Sequence, residues 1–139
     1  MMDDKDIFEK LKYKFSCDVF QTGSRAICNP PPQDTDDDYL VYQDIPFANQ
    51  DGDIESFLDK NGFKSETEEY EGDETLFSSW RRGKLNIILT TDHGFAQKHI
   101  AATKVCRELN LLEKSQRIMV FQAVLYGEFI TSIDEGENR

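Results

Sequence analysis

The sequence is poor in cysteine and has no long apolar run. Its three cysteines, Cys17, Cys28 and Cys106, are widely spaced and form no Cys-x-x-Cys pair, so a disulfide framework or a structural zinc site has little support. Reduced thiols are typical of cytosolic proteins, and Cys106 is expected to be a small core residue. Without a run of about 18 apolar residues, and with an acidic N-terminus, the chain predicts neither a membrane helix nor a secretory signal. We therefore expect a cytoplasmic protein with no membrane partner.

Basic residues are also scarce, which limits the kinds of partner. The chain has 16 lysines and arginines against 27 aspartates and glutamates, a formal net charge of −11. A protein that grips long nucleic acid presents a basic face to the phosphates. Long nucleic acid is therefore an unlikely partner in this interpretation, and a small molecule or a protein is favoured.

Hydrophobic periodicity and turn signals predict a single α+β domain over residues 1–130 and a flexible polar tail over 131–139. The expected architecture is a mixed β-sheet covered by helices. The predicted elements are a helix at 3–15, a strand at 18–22, a loop at 25–35, a strand at 36–42, a helix at 53–61, hairpin arms at 63–70 and 75–81, a central strand at 85–91, and helices at 93–110 and 115–126.

The last two helices are predicted to bury one face each. In the first of them the expected inward residues are Phe95, Ala102, Val105, Cys106 and Leu109, and in the second they are Ile118, Phe121 and Leu125. Two histidines, His93 and His99, are six positions apart and lack metal-ligand spacing. A surface or capping role is expected for both.

The stretch that carries chemistry is a Gly-Ser turn followed by an acidic strand. Gly23 lets the backbone approach a ligand closely, and the Ser24 hydroxyl with nearby N–H groups can hold phosphate oxygens. Alternate residues of a strand share a face, so Asp36 and Asp38 should point the same way and Asp37 the opposite way. Two parallel carboxylates beside a phosphate cradle suit Mg²⁺, which prefers oxygen ligands.

This combination resembles the small single-domain nucleotidyltransferases of the polymerase-beta superfamily. Their signature is a Gly-Ser turn followed, a short distance on, by Ser/Thr-Asp-x-Asp entering a strand; here the eleven residues 25–35 separate Ser24 from Asp36. The resemblance implies the nucleotidyltransferase fold, with Asp36 and Asp38 as ligands of Mg²⁺ or Mn²⁺. It also implies that Gly23, Ser24 and Arg25 lie at the triphosphate.

One position departs from the family pattern. The family places a third aspartate on a neighbouring strand, where it activates the attacking hydroxyl, and Asn86 occupies that place here. Asp92 shares the parity of Asn86, but six residues of strand span about 20 Å, so the two cannot serve one metal centre interchangeably. Asp92 also precedes a helix and is a predicted N-cap. An asparagine can offer a carbonyl oxygen to a metal but cannot act as a general base.

The densest group of basic residues in the chain directly follows its single tryptophan, Trp80. Arg81, Arg82 and Lys84 could neutralise a triphosphate while Trp80 stacks on a base. Alternatively, they are the positive charges of an ordinary hairpin edge, which discourage pairing with another edge.

Two functions from different classes follow from these observations. The first is an enzyme that transfers a nucleoside monophosphate from a nucleoside triphosphate to a hydroxyl of a small-molecule or protein acceptor. The second is a catalytically impaired module that binds nucleotide or a protein, either antitoxin-like or regulatory, with a partner protein or a homo-oligomer as its assembly. A mimic of nucleic acid is a third reading, which the negative charge permits.

Overall fold

In the part of the chain that the structure describes, the protein has an α+β fold with a five-stranded mixed sheet, as predicted. A computed structural model describes residues 1–32, 35–44, 54–66 and 76–127. The predicted tail at 131–139 and the tip of the predicted hairpin lie outside these residues. The elements are α1 (Asp4–Tyr13), β1 (Cys17–Thr22), α2 (Gly23–Ile27), β2 (Asp37–Gln43), α3 (Ile54–Lys60), β3 (Lys64–Ser65), β4 (Ser78–Arg82), β5 (Leu85–Thr90), α4 (His93–Glu108) and α5 (Lys114–Tyr126).

The strand order β1-β2-β5-β4-β3 confirms that the 85–91 segment is the central strand. β2 and β5 are parallel, and the other neighbouring pairs are antiparallel. In this register Asp38 lies opposite Thr22 on β1 and opposite Asn86 on β5. Residues directly opposite each other in a sheet project to the same face, so the side chains of Thr22, Asp38 and Asn86 share one face.

The opposite face of the sheet carries the larger core. There α1 and α3 cover β2, β4 and β5, with Ile7, Leu58, Val41 and Ile87 fully buried. Trp80 belongs to this cluster, is 8% exposed, and donates its indole N–H to Ser78 Oγ. A tryptophan buried in the core cannot stack on a nucleotide base, so that sequence-based option is wrong.

On the site face, α4 covers the sheet, and its start agrees with the sequence. The Asp92 side chain accepts a hydrogen bond from the Phe95 N–H at 2.8 Å, which confirms the predicted N-cap. Leu40 of β2 packs there against Phe95 and Ala96. Among the described residues, no helix has the length and apolar character needed to span a membrane.

The predicted loop at 25–35 is wrong in its first part. The chain turns directly from β1 into α2, because Ile27 and Cys28 are buried against Cys106 of α4. All three cysteines are free and buried, and Cys106 is the core residue that its position predicted.

The inward faces of α4 and α5 were predicted only in part. Phe95, Ala102 and Cys106 are buried as expected, whereas Val105 and Leu109 are 41% and 62% exposed. The buried stripe of α4 runs instead through two polar residues, His99 and Thr103, so hydrophobicity alone misplaced it.

In α5 no residue is buried. Phe121 and Leu125 are partly buried against the neighbouring clusters, but Ile118 is 49% exposed. The reason is that Ile118 lines an open cavity instead of the core.

Candidate functional site

At the end of β1 the chain turns sharply at Gly23, a turn we call the Gly23 corner, and the Asp38 carboxylate packs directly against it. Gly23 has φ +72°, and a Cβ built on it would overlap the Asp38 Oδ2 atom. A positive φ is unfavourable for residues with a Cβ. Both the backbone conformation and the space therefore require glycine, and the Asp38 carboxylate rests directly on the turn.

A pair of glycine variants should separate these two requirements. We expect Gly83→Ala, at φ +61° with no atom of the described residues within 4 Å of the added Cβ, to lower the free energy of unfolding by about 1 kcal/mol, the backbone cost alone. Gly23→Ala should cost at least about 2 kcal/mol, because it adds displacement of Asp38. Urea denaturation measures both, and equal losses would show that the corner does not depend on the Asp38 contact.

The two predicted metal ligands lie in one place, and the residue between them does not. Asp36, immediately before β2, and Asp38 both line a single cavity with Gly23 and Ser24. Asp37 instead accepts a hydrogen bond from Gln21 Nε2 at 2.9 Å and lies 4.0 Å from Arg25. The predicted alternation of the three aspartates is confirmed.

The cavity has a size suited to a small-molecule ligand and is lined by charges of both signs. Its volume is about 530 Å³, within the range of roughly 300–1,000 Å³ that is typical of small-molecule sites. Across from the carboxylates and the glycine corner, α5 contributes Lys114 and Arg117. Apolar side chains complete the wall, namely Ile27, Ile118 and Phe121.

Lys114 and Arg117 are the site residues that sequence reasoning missed. Their spacing of three places them on one face of a helix, which was the available signal. Arg117 also ties down the chain before α5, since its NH1 donates to the carbonyl oxygens of Leu111 at 2.9 Å and Leu112 at 2.7 Å. Nothing in the sequence indicated that this helix face would lie over the carboxylates.

Asn86 occupies the predicted place on the strand beside Asp38, and its hydrogen bonds fix its orientation. Its Nδ2 donates to Asp38 Oδ1 at 3.1 Å, and its Oδ1 bonds to Ser79 Oγ at 3.0 Å. Because an ionised carboxylate only accepts hydrogen bonds, the amide nitrogen has to face Asp38. The carbonyl oxygen is thus turned toward Ser79, and Asn86 supports Asp38 instead of offering oxygen to a metal.

The pKa of Asp38 is raised above its ordinary value, mainly because burial penalises the carboxylate. The Asn86 hydrogen bond and the charge of Arg81 lower this pKa, whereas Asp36 and Asp37 raise it. A carboxylate that is poorly hydrated and close to another carboxylate is stabilised when a cation binds beside it. Asp38 therefore has the electrostatic environment of a cation ligand.

Ser24 and Arg25 connect the glycine turn to the segment that leads into β2. The Ser24 hydroxyl bonds to Thr35 Oγ1 at 3.1 Å, and Arg25 NH2 donates to the Thr35 carbonyl at 2.7 Å. Ser24 lines the cavity, but Arg25 does not contribute to its lining. Of the predicted phosphate-binding pair, only Ser24 is placed to touch a ligand there.

The two neighbouring arginines of β4 lie on opposite faces of the sheet. Arg81 does not line the cavity itself, but it forms an ion pair at 3.0 Å with Asp36, which does. Arg82 donates from NH1 to the carbonyls of Met2 and Asn61 and from NH2 to Asp4. Arg82 therefore joins α1 and the end of α3 to the sheet, which removes it from the candidate nucleotide-binding set. The hairpin-edge reading also needs correction, because β4 lies between β3 and β5.

His99 is not the surface or capping residue that was expected, whereas His93 is exposed as predicted. His99 is 7% exposed, and its Nε2 lies 3.1 Å from Thr22 Oγ1, directly before the glycine corner. Its ring contacts Phe121 edge-on with centroids 5.0 Å apart. His99 thus connects the Gly23 corner to the apolar wall of the cavity.

The buried imidazole should make stability depend on pH. Burial lowers the pKa of His99 from 6.5 to about 4, so the unfolded chain binds the proton more tightly than the folded one. The contribution of neutral His99 is complete above pH 6.5 and is lost as the pH falls toward 4, by about 3 kcal/mol in all. In urea denaturation at pH 7 and pH 4, His99→Leu should lose about 3 kcal/mol less than the unaltered chain. Equal losses in both proteins would show that folding does not lower the pKa of His99.

Comparisons with protein-family models, curated proteins and solved structures give no match to this chain. The described residues also contain no group of three or more histidine, cysteine, aspartate or glutamate side chains that could hold a metal ion.

Proposed function

We propose that this protein has a nucleotidyltransferase-like fold of the polymerase-beta type and binds a nucleoside triphosphate with Mg²⁺ in the cavity between the Gly23 corner and α5. The observation that carries the proposal is the fit of Asp38 to Gly23, with Asp36 and Ser24 lining the same cavity. The order of a Gly-Ser turn, an Asp-x-Asp strand and a parallel neighbour carrying the third position supports the same fold.

The donor set fits a hard divalent cation. Asp36 and Asp38 supply carboxylate oxygens, the ligand type that Mg²⁺ and Mn²⁺ prefer. With two carboxylates among the described residues, the site suits a cation whose remaining ligands are water and phosphate oxygens. When bound there, Mg²⁺ neutralises charge that develops on the phosphates during phosphoryl transfer.

The other cavity residues divide into a polar and an apolar part. Gly23 allows the phosphates to approach the backbone. The Ser24 hydroxyl, which donates to Thr35 Oγ1 in this structure, can turn to donate to a phosphate oxygen instead. Lys114 and Arg117 offset the negative charge from the opposite wall. Ile27, Ile118 and Phe121 provide apolar contact for the nucleoside end of the ligand.

Asn86 favours binding over transfer. A nucleotidyl transfer to a hydroxyl needs a group that accepts the hydroxyl proton, and an amide cannot do this. In this chain the amide nitrogen faces Asp38, so the third position orients a carboxylate without adding one. We therefore favour a nucleotide-binding module, antitoxin-like or regulatory, over an efficient transferase. The reducing cytosol, where the triphosphates and Mg²⁺ are plentiful, is compatible with three free cysteines.

Isothermal titration with ATP, GTP, CTP and UTP, with and without Mg²⁺, tests the proposal. We expect at least one triphosphate to bind only when Mg²⁺ is present, with no pyrophosphate release. Binding accompanied by pyrophosphate release would instead identify a transferase that uses another proton acceptor. No binding in any mixture would contradict the proposal.

A further inference from the structure

Arg81 forms an ion pair with Asp36, one of the two proposed metal ligands. Its NH1 lies 3.0 Å from Asp36 Oδ1, and its Nε donates to Glu66 Oε1 at 2.9 Å. We propose that Arg81 is the resident counter-cation of the site, holding Asp36 until a metal–nucleotide complex binds and then passing to a phosphate oxygen. This inference rests on the proposed function and deepens it by naming the residue that couples the metal to the nucleotide.

The sheet places Arg81 in line with the carboxylates. Arg81 on β4 lies opposite Asn86 on β5, which lies opposite Asp38 on β2. Directly opposed residues have Cβ atoms about 5 Å apart, so the three side chains form a row on the site face. The arginine side chain is long enough to extend past Asn86, and its guanidinium contacts Asp36, immediately before β2.

Glu66 holds one side of the Arg81 guanidinium in place, so that the other side can move from Asp36 to a phosphate oxygen. It follows β3 directly and holds the Nε side of the guanidinium, while NH1 points to Asp36. Loss of the Asp36 contact therefore leaves Arg81 charged, paired and still close to the cavity. A planar guanidinium with several donors can hold a carboxylate on one edge and a phosphate oxygen on another.

The electrostatic consequence is that metal and nucleotide depend on each other. A free divalent cation is repelled by the positive charge of Arg81 and has to compete with Arg81 for the Asp36 carboxylate. A metal–triphosphate complex carries net negative charge and supplies oxygens that accept the guanidinium. The metal alone should thus bind weakly, and nucleotide should raise its affinity, with the reciprocal effect required by linkage.

Three variants test this role, with Mn²⁺ as the probe. Free Mn²⁺ is counted by electron paramagnetic resonance, alone and with a nucleoside triphosphate analogue that cannot release pyrophosphate. Arg81→Gln should raise the affinity for Mn²⁺ alone about tenfold and lower the affinity for the analogue in the presence of Mn²⁺ about tenfold. Glu66→Gln should weaken binding of Mn²⁺ alone, since Arg81 then pairs with Asp36 only. Arg82→Gln removes the same charge from the opposite face and should change neither affinity by more than about twofold.

The outcomes separate this inference from the proposed function. If the unaltered protein binds no analogue with Mn²⁺, the nucleotide site itself is wrong. If it does bind, and Arg81→Gln leaves the affinity for Mn²⁺ alone unchanged or lowers it, only the counter-cation role is wrong. Should Arg81→Gln fail to fold, the direction of change in Glu66→Gln decides the matter, and unchanged or tighter Mn²⁺ binding there contradicts the role.

Discussion

Replacing Asp38 by asparagine is expected to remove Mg²⁺-dependent nucleotide binding while leaving the fold intact. A unit charge about 4 Å from a cation contributes roughly 4 kcal/mol near a protein surface, so the affinity should fall at least about 100-fold. The substitution keeps the shape of the side chain and an oxygen that can accept from Asn86. Isothermal titration of the triphosphate in the presence of Mg²⁺ measures the loss.

Although Asp38→Asn should bind nucleotide more weakly, its free energy of unfolding should not fall. Burial raises the pKa of Asp38, so the folded chain binds this proton more tightly than the unfolded chain. The stabilising contribution is therefore present at low pH and is lost as the pH rises through the folded pKa. Asp38→Asn does not carry this pH-dependent cost, so at neutral pH it should be at least as stable as the unaltered chain. Functional loss without a loss of stability is typical of a binding residue.

Asp37→Asn is the matched control for this experiment. It removes the same charge from the adjacent position, whose side chain bonds to Gln21 instead of lining the cavity. We expect nucleotide affinity to remain within about threefold, the effect of a more distant charge. An equal loss in both variants would mean that only the net charge of the region matters, which contradicts a site built on Asp38.

Replacing Asn86 by aspartate should supply the missing third carboxylate. General-base groups contribute roughly 100-fold to 10,000-fold to transfer rates, so pyrophosphate release from a bound triphosphate, with water as the acceptor, should rise at least about 100-fold. The products are the nucleoside monophosphate and pyrophosphate. A coupled assay of pyrophosphate release under Mg²⁺ measures the rate.

The Asn86→Asp chain should also respond differently to metal. Three neighbouring carboxylates repel one another, so without metal the urea midpoint should fall, and Mg²⁺ should restore it. Asn86→Ala is the control, since it removes the amide without adding a charge and should gain no activity. If Asn86→Asp and Asn86→Ala release pyrophosphate at the same rate and bind Mn²⁺ equally, the third position has no part in the site.

The sequence predicted the strand side of the site well because strand geometry is local. Alternation fixed Asp36 and Asp38 on one face and Asp37 on the other. The apolar run at 85–91 predicted a central strand, and the family resemblance implied that Asn86 lies on it at the third position. The Gly23 turn was predictable because glycine is the residue that most readily adopts the positive φ of a sharp turn at the end of a strand. Apart from the pairing of Asn86 with Asp38, these features depend on residues close together in the chain.

The helical side of the site could not be predicted in the same way. Lys114 and Arg117 reach the cavity only through the packing of α5 on α4 and α2, which no local pattern encodes. His99 was misplaced because a buried polar residue is stabilised by partners distant in sequence, here Thr22. Arg81 and Arg82 could not be told apart until the register of β4 assigned each one a face. Tertiary contacts decided all of these positions.

The most direct measurement is the position of the cation and nucleotide themselves. Crystals grown with Mn²⁺ and a triphosphate analogue that cannot release pyrophosphate would locate the ion by its anomalous scattering. We predict that the ion touches the carboxylates of Asp36 and Asp38, with the phosphates between the Gly23 corner and Lys114. A nucleotide bound on another face, or bound here with no cation at Asp36 and Asp38, would contradict the account.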